Sequence, residues 1–293
     1  MARLEVLKTY KLYIGGQFPR SESGRYYTPL DQAGNPIANV SLSSKKDLKN
    51  AVVAARKAFG AWSERAPFNR GQICYRIAEM LEGRKAQFID ELIKQGYDQT
   101  QAEAEVHLAI DRCVYYAGWC DKYQQIFSAV NPVASPHINF STLVPMGVVG
   151  VIAPQNNGLI GLISTILPCI CGGNSCVVLA SEKFPLTAIT FAEVLATSDL
   201  PVGVVNVLTG SEDELVDGFH SHMDINAVVY ANGHTENATM LAKGAAVNVK
   251  RLFVYDTDFS VESAENPYLI ADLQEVKTTW HPIEQVGGAT SSY

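Results

Sequence analysis

Between Gly147 and Tyr255 short apolar runs alternate with helix-length segments, and no other feature of this 293-residue chain restricts its fold so strongly. The runs are "VVGVIA", "SCVVLA", "GVVNVL", "NAVVY" and "RLFVY", and a segment of helical length follows each of the first four. Strands that are apolar at nearly every position need cover on both faces, which a parallel sheet between two helical layers supplies. The expected fold class is α/β, an open doubly wound parallel sheet of about five strands.

Open sheets of this kind bind ligands at the carboxyl ends of their strands. Here those ends are "PQNNG" (154–158), "ASEKFP" (180–185), "TGSE" (209–212) and "ANGHTE" (231–236). None is a G-x-G-x-x-G, so the usual dinucleotide fingerprint is missing. "VIAPQNNGLI" (151–160) sets two side-chain amides, Asn156 and Asn157, where a strand hands over to a helix.

The part before Gly147 reads differently. Residues 10–40 alternate in "YKLYIGGQF" and carry turn chemistry in "SESGR" and "DQAGNP", which predicts short strands. Ser44 and Asp47 approximate a capping box, and Leu48, Ala51, Val52, Ala55, Phe59 and Trp62 follow at helical spacing. A second helix is expected over Ile73–Leu92 with Gly96 as its stop, and a third over about Ala102–Phe127. Two further segments, "HINFSTLVP" (137–145) and "LQEVKTTWHP" (273–282), alternate like strands and are predicted to pair into an antiparallel ribbon. A two-stranded ribbon is marginal alone, so an oligomerisation arm is the favoured reading.

A hydrophobic fraction of 47% with 18% charged residues is enough for a real core, and a net charge of −7 with no basic stripe to neutralise phosphates argues against nucleic acid. The longest apolar run, Leu159–Cys171, is too short to span a bilayer and contains Pro168, so a buried helix is expected and no membrane partner. With no apolar signal-peptide region at the N-terminus, the expected localisation is cytoplasmic. The six cysteines show no C-x-x-C and no His at metal-ligand spacing, so no metal site is expected. Cys169, Cys171 and Cys176 read as inert core, and Cys113 and Cys120 as packing partners on one helix face.

Taken together, "YKLYIGGQF", "AVVAARKAFGAW", "YYAGW", "VPMGVVGVIAPQNNG", "GGNSCVVLASEKFPLTA" and "LPVGVVNVLTG" resemble the aldehyde dehydrogenase superfamily. The resemblance covers about residues 10–255 and resumes at "LQEVKTTWHP", which is similar to the family's C-terminal oligomerisation strand. It implies a Rossmann-like domain that binds NAD(P) without G-x-G-x-x-G, a catalytic domain and a bridging β-arm. In this chain it implies a cofactor-binding-type domain over 1–136 and 147–258, an arm over 137–146 and 268–293, and no catalytic domain. The Glu-Leu-Gly-Gly segment with the family's general base has no counterpart after "RLFVY", and no cysteine follows Cys176 to serve as nucleophile. Without a thiolate and a base the family's mechanism cannot run, so no catalytic residue is assigned.

The cofactor site departs from the family residue by residue. Pro-Trp-Asn reads Pro154-Gln155-Asn156, so that Asn156 matches the oxyanion amide and is expected to be vestigial. Lys-Pro-Ser-Glu reads Leu179-Ala180-Ser181-Glu182. Losing that Lys removes a charged hydrogen bond worth about 1.5–3 kcal/mol, roughly tenfold to a hundredfold in affinity. Glu182 matches a ribose-binding carboxylate and fits equally well as a first-turn helix acid. Gly-Phe-Gly near the adenine reads Gly210-Ser211-Glu212, and Gly-Ser-Thr-Glu-Val-Gly reads Gly233-His234-Thr235-Glu236-Asn237-Ala238. His234 is either a weak phosphate partner or an exposed loop residue, the latter being favoured. The expectation is no NAD(P) binding or weak binding, with Glu182, Gly210 and Gly233 as the cofactor-side residues.

The leading functional expectation is a non-catalytic family member, a homo-oligomer or a structural or regulatory subunit of a full-length aldehyde dehydrogenase, assembled through Phe140, Val276 and Trp280. The alternatives are an NAD(P)- or nucleotide-binding module, or NAD(P)-dependent aldehyde oxidoreductase activity in complex with a partner.

Overall fold

The computed structural model describes residues 6–283. Three short strands come first, β1 (Thr9–Tyr10), β2 (Tyr26–Tyr27) and β3 (Asn39–Ser41), with β3 in the middle of their sheet. Helices α1 (Lys45–Ser63), α2 (Pro67–Gly83), α3 (Lys85–Lys94), α4 (Gln99–Trp119) and α5 (Tyr123–Phe127) follow. The expected capping box is present on α1: Asp47 N donates to Ser44 Oγ at 3.2 Å and Ser44 N donates to Asp47 Oδ2 at 2.9 Å. The helix expected over Ile73–Leu92 is two helices, broken at Arg84, whose guanidinium turns to Gln87 and to Glu193 of the parallel-sheet layer. The helix expected over Ala102–Phe127 starts earlier, at an Asp98–Gln101 capping box, and is interrupted after Trp119.

Strands β4 (Ala129–Asn131) and β5 (His137–Pro145) lead into the alternating part: β6 (Val148–Ile152), α6 (Ile160–Cys171), β7 (Ser175–Leu179), α7 (Pro185–Ala196), β8 (Val205–Leu208), α8 (Glu212–Ser221), β9 (Ala227–Tyr230), α9 (Thr235–Val247) and β10 (Arg251–Val254). All five expected strands form one parallel sheet in the order β10-β9-β6-β7-β8. Val149, Val151, Cys176 and Val178 pack with α2, α4, α6 and α7, while Val148, Ile152, Val177 and Leu179 pack with α1, α8 and α9. Period-two alternation therefore feeds two apolar cores, one on each face. The strand order reverses about β6, so the crevice outside the ends of β6 and β9 is the switch point of the sheet.

The short α10 (Tyr268–Asp272) precedes β11 (Gln274–Pro282). β11 pairs antiparallel with β5, the ribbon expected from the two segments, and the structure sets the register as Val276↔Leu143 and Trp280↔Asn139. A third strand, β4, lies on the other side of β5 and had no sequence expectation. The register puts Val276 and Trp280 on one face and Phe140, opposite Thr279, on the other. Residues 284–293 of the expected arm, like residues 1–5 of the expected cofactor-binding-type domain, lie outside the described residues.

Between β10 and β11, residues 255–273 fold back onto the chain's own helices. Phe259 and Ile270 have no exposed surface. The fully buried guanidinium of Arg112 on α4 donates to Val261 O at 3.1 Å and Phe259 O at 3.4 Å, and to Ser164 Oγ at 2.6 Å. Asn174 Nδ2 donates to Leu273 O at 2.9 Å, fixing the entry into β11.

Candidate functional site: the crevice at the strand ends

Four loops meet at the carboxyl edge of the parallel sheet. In the β6–α6 loop, Gln155 Oε1 accepts from Ser181 Oγ at 2.8 Å and from Glu182 N at 2.9 Å, tying this loop to the β7–α7 loop. Asn156 is exposed between two clefts. Asn157 is buried, and its Oδ1 has no partner. Buried Glu105 of α4 accepts from Leu159 N at 2.6 Å and Ile160 N at 3.0 Å, so a carboxylate satisfies the first turn of α6 and complements its dipole.

Glu182 lies on the β7–α7 loop, with its side chain turned to α8. Its Oε1 accepts from Glu212 N at 2.6 Å, so it meets the N-terminus of α8 rather than sitting in the first turn of its own helix α7. Gly210 has φ +150° at the end of β8, and a Cβ there would press within 3.0 Å of Ser43 N. Two residues later the Glu212 side chain turns into the crevice. Its Oε1 accepts from Tyr230 Oη at 2.8 Å and Asn237 Nδ2 at 2.7 Å, and its Oε2 accepts from Asn232 Nδ2. Burial, and then the hydrogen bond to this carboxylate, raise the Tyr230 phenol above its usual range. Gly233 has φ +74° with open space around it, and His234 is exposed at the start of α9.

The structure thus gathers Asn156, Glu182, Gly210 and Gly233 at one edge, but the interactions centre on Glu212, Asn237 and Gln155. Sequence reasoning placed these three in departed motifs and gave them no role. The signal for two of them was a paired change, Glu and Asn standing at positions 212 and 237 where the resembled motifs carry Gly and Val.

Two clefts remain. One, of about 270 Å³, sits at the switch point between Asn156, Lys183, Asn232, His234 and Asp256. The other, of about 500 Å³, runs beneath α4 past Tyr97, Glu105, Leu108, Asn157 and Phe184. Neither is lined by a thiol. All six cysteines are buried, and burial pushes the Cys113, Cys169 and Cys171 thiols up, which suits packing and opposes nucleophilic use. Among the described residues no group of three or more His, Cys, Asp or Glu is placed to hold a metal ion, and no helix is long and apolar enough to cross a membrane.

Comparison with known proteins places this geometry. The sequence profile of the Aldehyde dehydrogenase family matches residues 19–255. The cytosolic 10-formyltetrahydrofolate dehydrogenase of Xenopus tropicalis is 34% identical over 251 residues, which are 83% of this chain and 28% of that protein. An aldehyde dehydrogenase of Aspergillus niger is 31% identical over 245 residues, 82% of this chain and 48% of that one. Among solved structures, the NAD+ complex of an aldehyde dehydrogenase from Bacillus cereus superposes with a TM-score of 0.79 at 25% identity, covering 84% of this chain and 50% of that chain. The chain spans between about a quarter and a half of the length of these relatives.

Proposed function

The chain belongs to the aldehyde dehydrogenase family, and within it we propose a non-catalytic member that acts as a structural or regulatory subunit, assembled with a full-length aldehyde dehydrogenase. The observation that carries this reading is the direct passage from β10 to β11. Where the resemblance calls for a catalytic domain, residues 255–273 close over α4 and α6 with Phe259 fully buried. The nucleophilic Cys and general-base Glu of the family have no counterparts in that stretch, and acyl chemistry needs both.

The arm supports assembly. β11 is the edge strand of its sheet, nine residues long, and Val276 and Trp280 are 66% and 57% exposed on one face. A long edge strand with apolar side chains is a liability unless a partner covers it. The chain works in this reading without NAD(P), in the cytoplasm, as a fixed scaffold beside a catalytically complete subunit.

The test is direct. Purified chain given NAD+ or NADP+ and a panel of aldehydes is expected to form no reduced cofactor. Sustained, protein-dependent NADH formation would overturn the reading.

A further inference from the structure

The crevice at the strand ends is not merely stripped of cofactor contacts; beside the cleft that stays open at the switch point, its α8–α9 side is filled from within. We infer that Glu212 and Asn237 form a built-in plug that occupies the adenosine half of the crevice and turns adenine nucleotides away. The inference rests on the non-catalytic reading in that a working cofactor site could not carry such a plug.

The plug spans the cleft between the first turns of α8 and α9. Glu212 is the first residue of α8, Asn237 is the third of α9, and their side chains meet at 2.7 Å. Tyr230 from the end of β9 and Asn232 from the loop after it complete the set, so three side-chain donors converge on one carboxylate. Glu212 is only 5% exposed, so three neutral donors stand in for the water that its carboxylate has lost.

Three consequences oppose a nucleotide. The space between the two helices holds side chains in place of a flat base. The carboxylate presents a negative charge where phosphates would approach, reinforced by Glu182 on the backbone N–H of Glu212. The N-terminus of α8, which would otherwise attract an anion, already has one in the Glu182 carboxylate. The pair behaves as a unit, because Asn237 without Glu212 would leave a donor unsatisfied and Glu212 without its three donors would be a stranded charge.

The test is calorimetric titration of AMP into the full chain and three variants. Wild type and Glu212→Gln, which keeps the plug's bulk without its charge, are expected to show no saturable binding. The double variant Glu212→Gly/Asn237→Val removes the carboxylate and the amide that holds it, opening the space Glu212 fills, and is expected to gain AMP affinity by about tenfold or more. Glu212→Ser, compatible with a helix start, carries the same expectation should the double variant not fold. Sub-millimolar AMP binding by wild type would overturn the plug, as would a folded double variant with no gain. A gain by Glu212→Gln equal to that of the double variant would also overturn it, since charge rather than filled space would then be decisive. AMP binding by wild type overturns the plug alone, whereas aldehyde turnover by wild type overturns the non-catalytic reading beneath it.

Discussion

Arg112 on α4 donates to the carbonyl oxygen of Val261 at 3.1 Å, from a side chain with no exposed surface. One buried cation thereby holds the segment that runs where the resemblance calls for a second domain. Its other contacts are Phe259 O, Ser164 Oγ and, at 3.5 Å, the Glu265 carboxylate. Nη1 and Nη2 are hydrogen-bonded and Nε has the Glu265 carboxylate at 3.5 Å, so the segment and the helix bundle are coupled through this charge.

Arg112→Met is expected to cost about 2–4 kcal/mol, because it strands two carbonyls, a hydroxyl and a carboxylate together. Phe259→Ala is expected to cost about 3–5 kcal/mol by leaving a cavity under the same segment. Urea denaturation measures both, and the double variant should cost less than the sum of the two. Full additivity would mean that the segment does not depend on the arginine.

Gly244 on α9 faces the ring of His220 on α8, leaving no room for a methyl group. Gly244→Ala is expected to destabilise by about 1–3 kcal/mol, through overpacking where helix propensity alone favours alanine. Adding His220→Ala should recover most of the loss in a thermal or chemical melt. A neutral or stabilising single variant would show that the two helices lie further apart.

Burial lowers the Lys250 ammonium to about 8, although its Nζ donates to His222 O at 2.7 Å. Between about 8 and the ordinary value of 10.5, the unfolded chain holds a proton on this residue that the folded chain has released. Stability therefore rises with pH across that window, by up to about 3 kcal/mol for this group, and the contribution is flat below it. Relative to Lys250→Met, wild type should gain stability from pH 8 to pH 10.5. A difference independent of pH would contradict the shifted lysine.

The parallel sheet was legible because its physics is local. Val148, Val149, Val151 and Ile152 announce a strand covered on both faces, and the same holds for the strand at Cys176. The Ser44–Asp47 cap was legible for the same reason. The break at Arg84 was not, since what holds that arginine is Glu193, a tertiary partner more than a hundred residues away. β4 was not legible either, because three residues owe their strand geometry to pairing with β5. In the crevice, the substituted positions could be read off the motifs one at a time. That Glu212 and Asn237 touch could not, because it depends on how α8 and α9 sit against each other. The order of residues 255–273 depends likewise on Arg112, which carries no mark of its role in sequence.

The arm separates the account from its rivals. Val276 and Trp280 share an exposed face and Phe140 lies on the other, so Val276→Asp/Trp280→Asp should abolish assembly while the chain stays folded.

The most direct measurement is native mass spectrometry of the tagged chain recovered from the cells that make it, alongside that arm variant. The account predicts a complex containing a full-length aldehyde dehydrogenase, identified by its mass and peptides, and its loss in the variant. Recovery of the wild-type chain as monomers or homo-oligomers alone would contradict it.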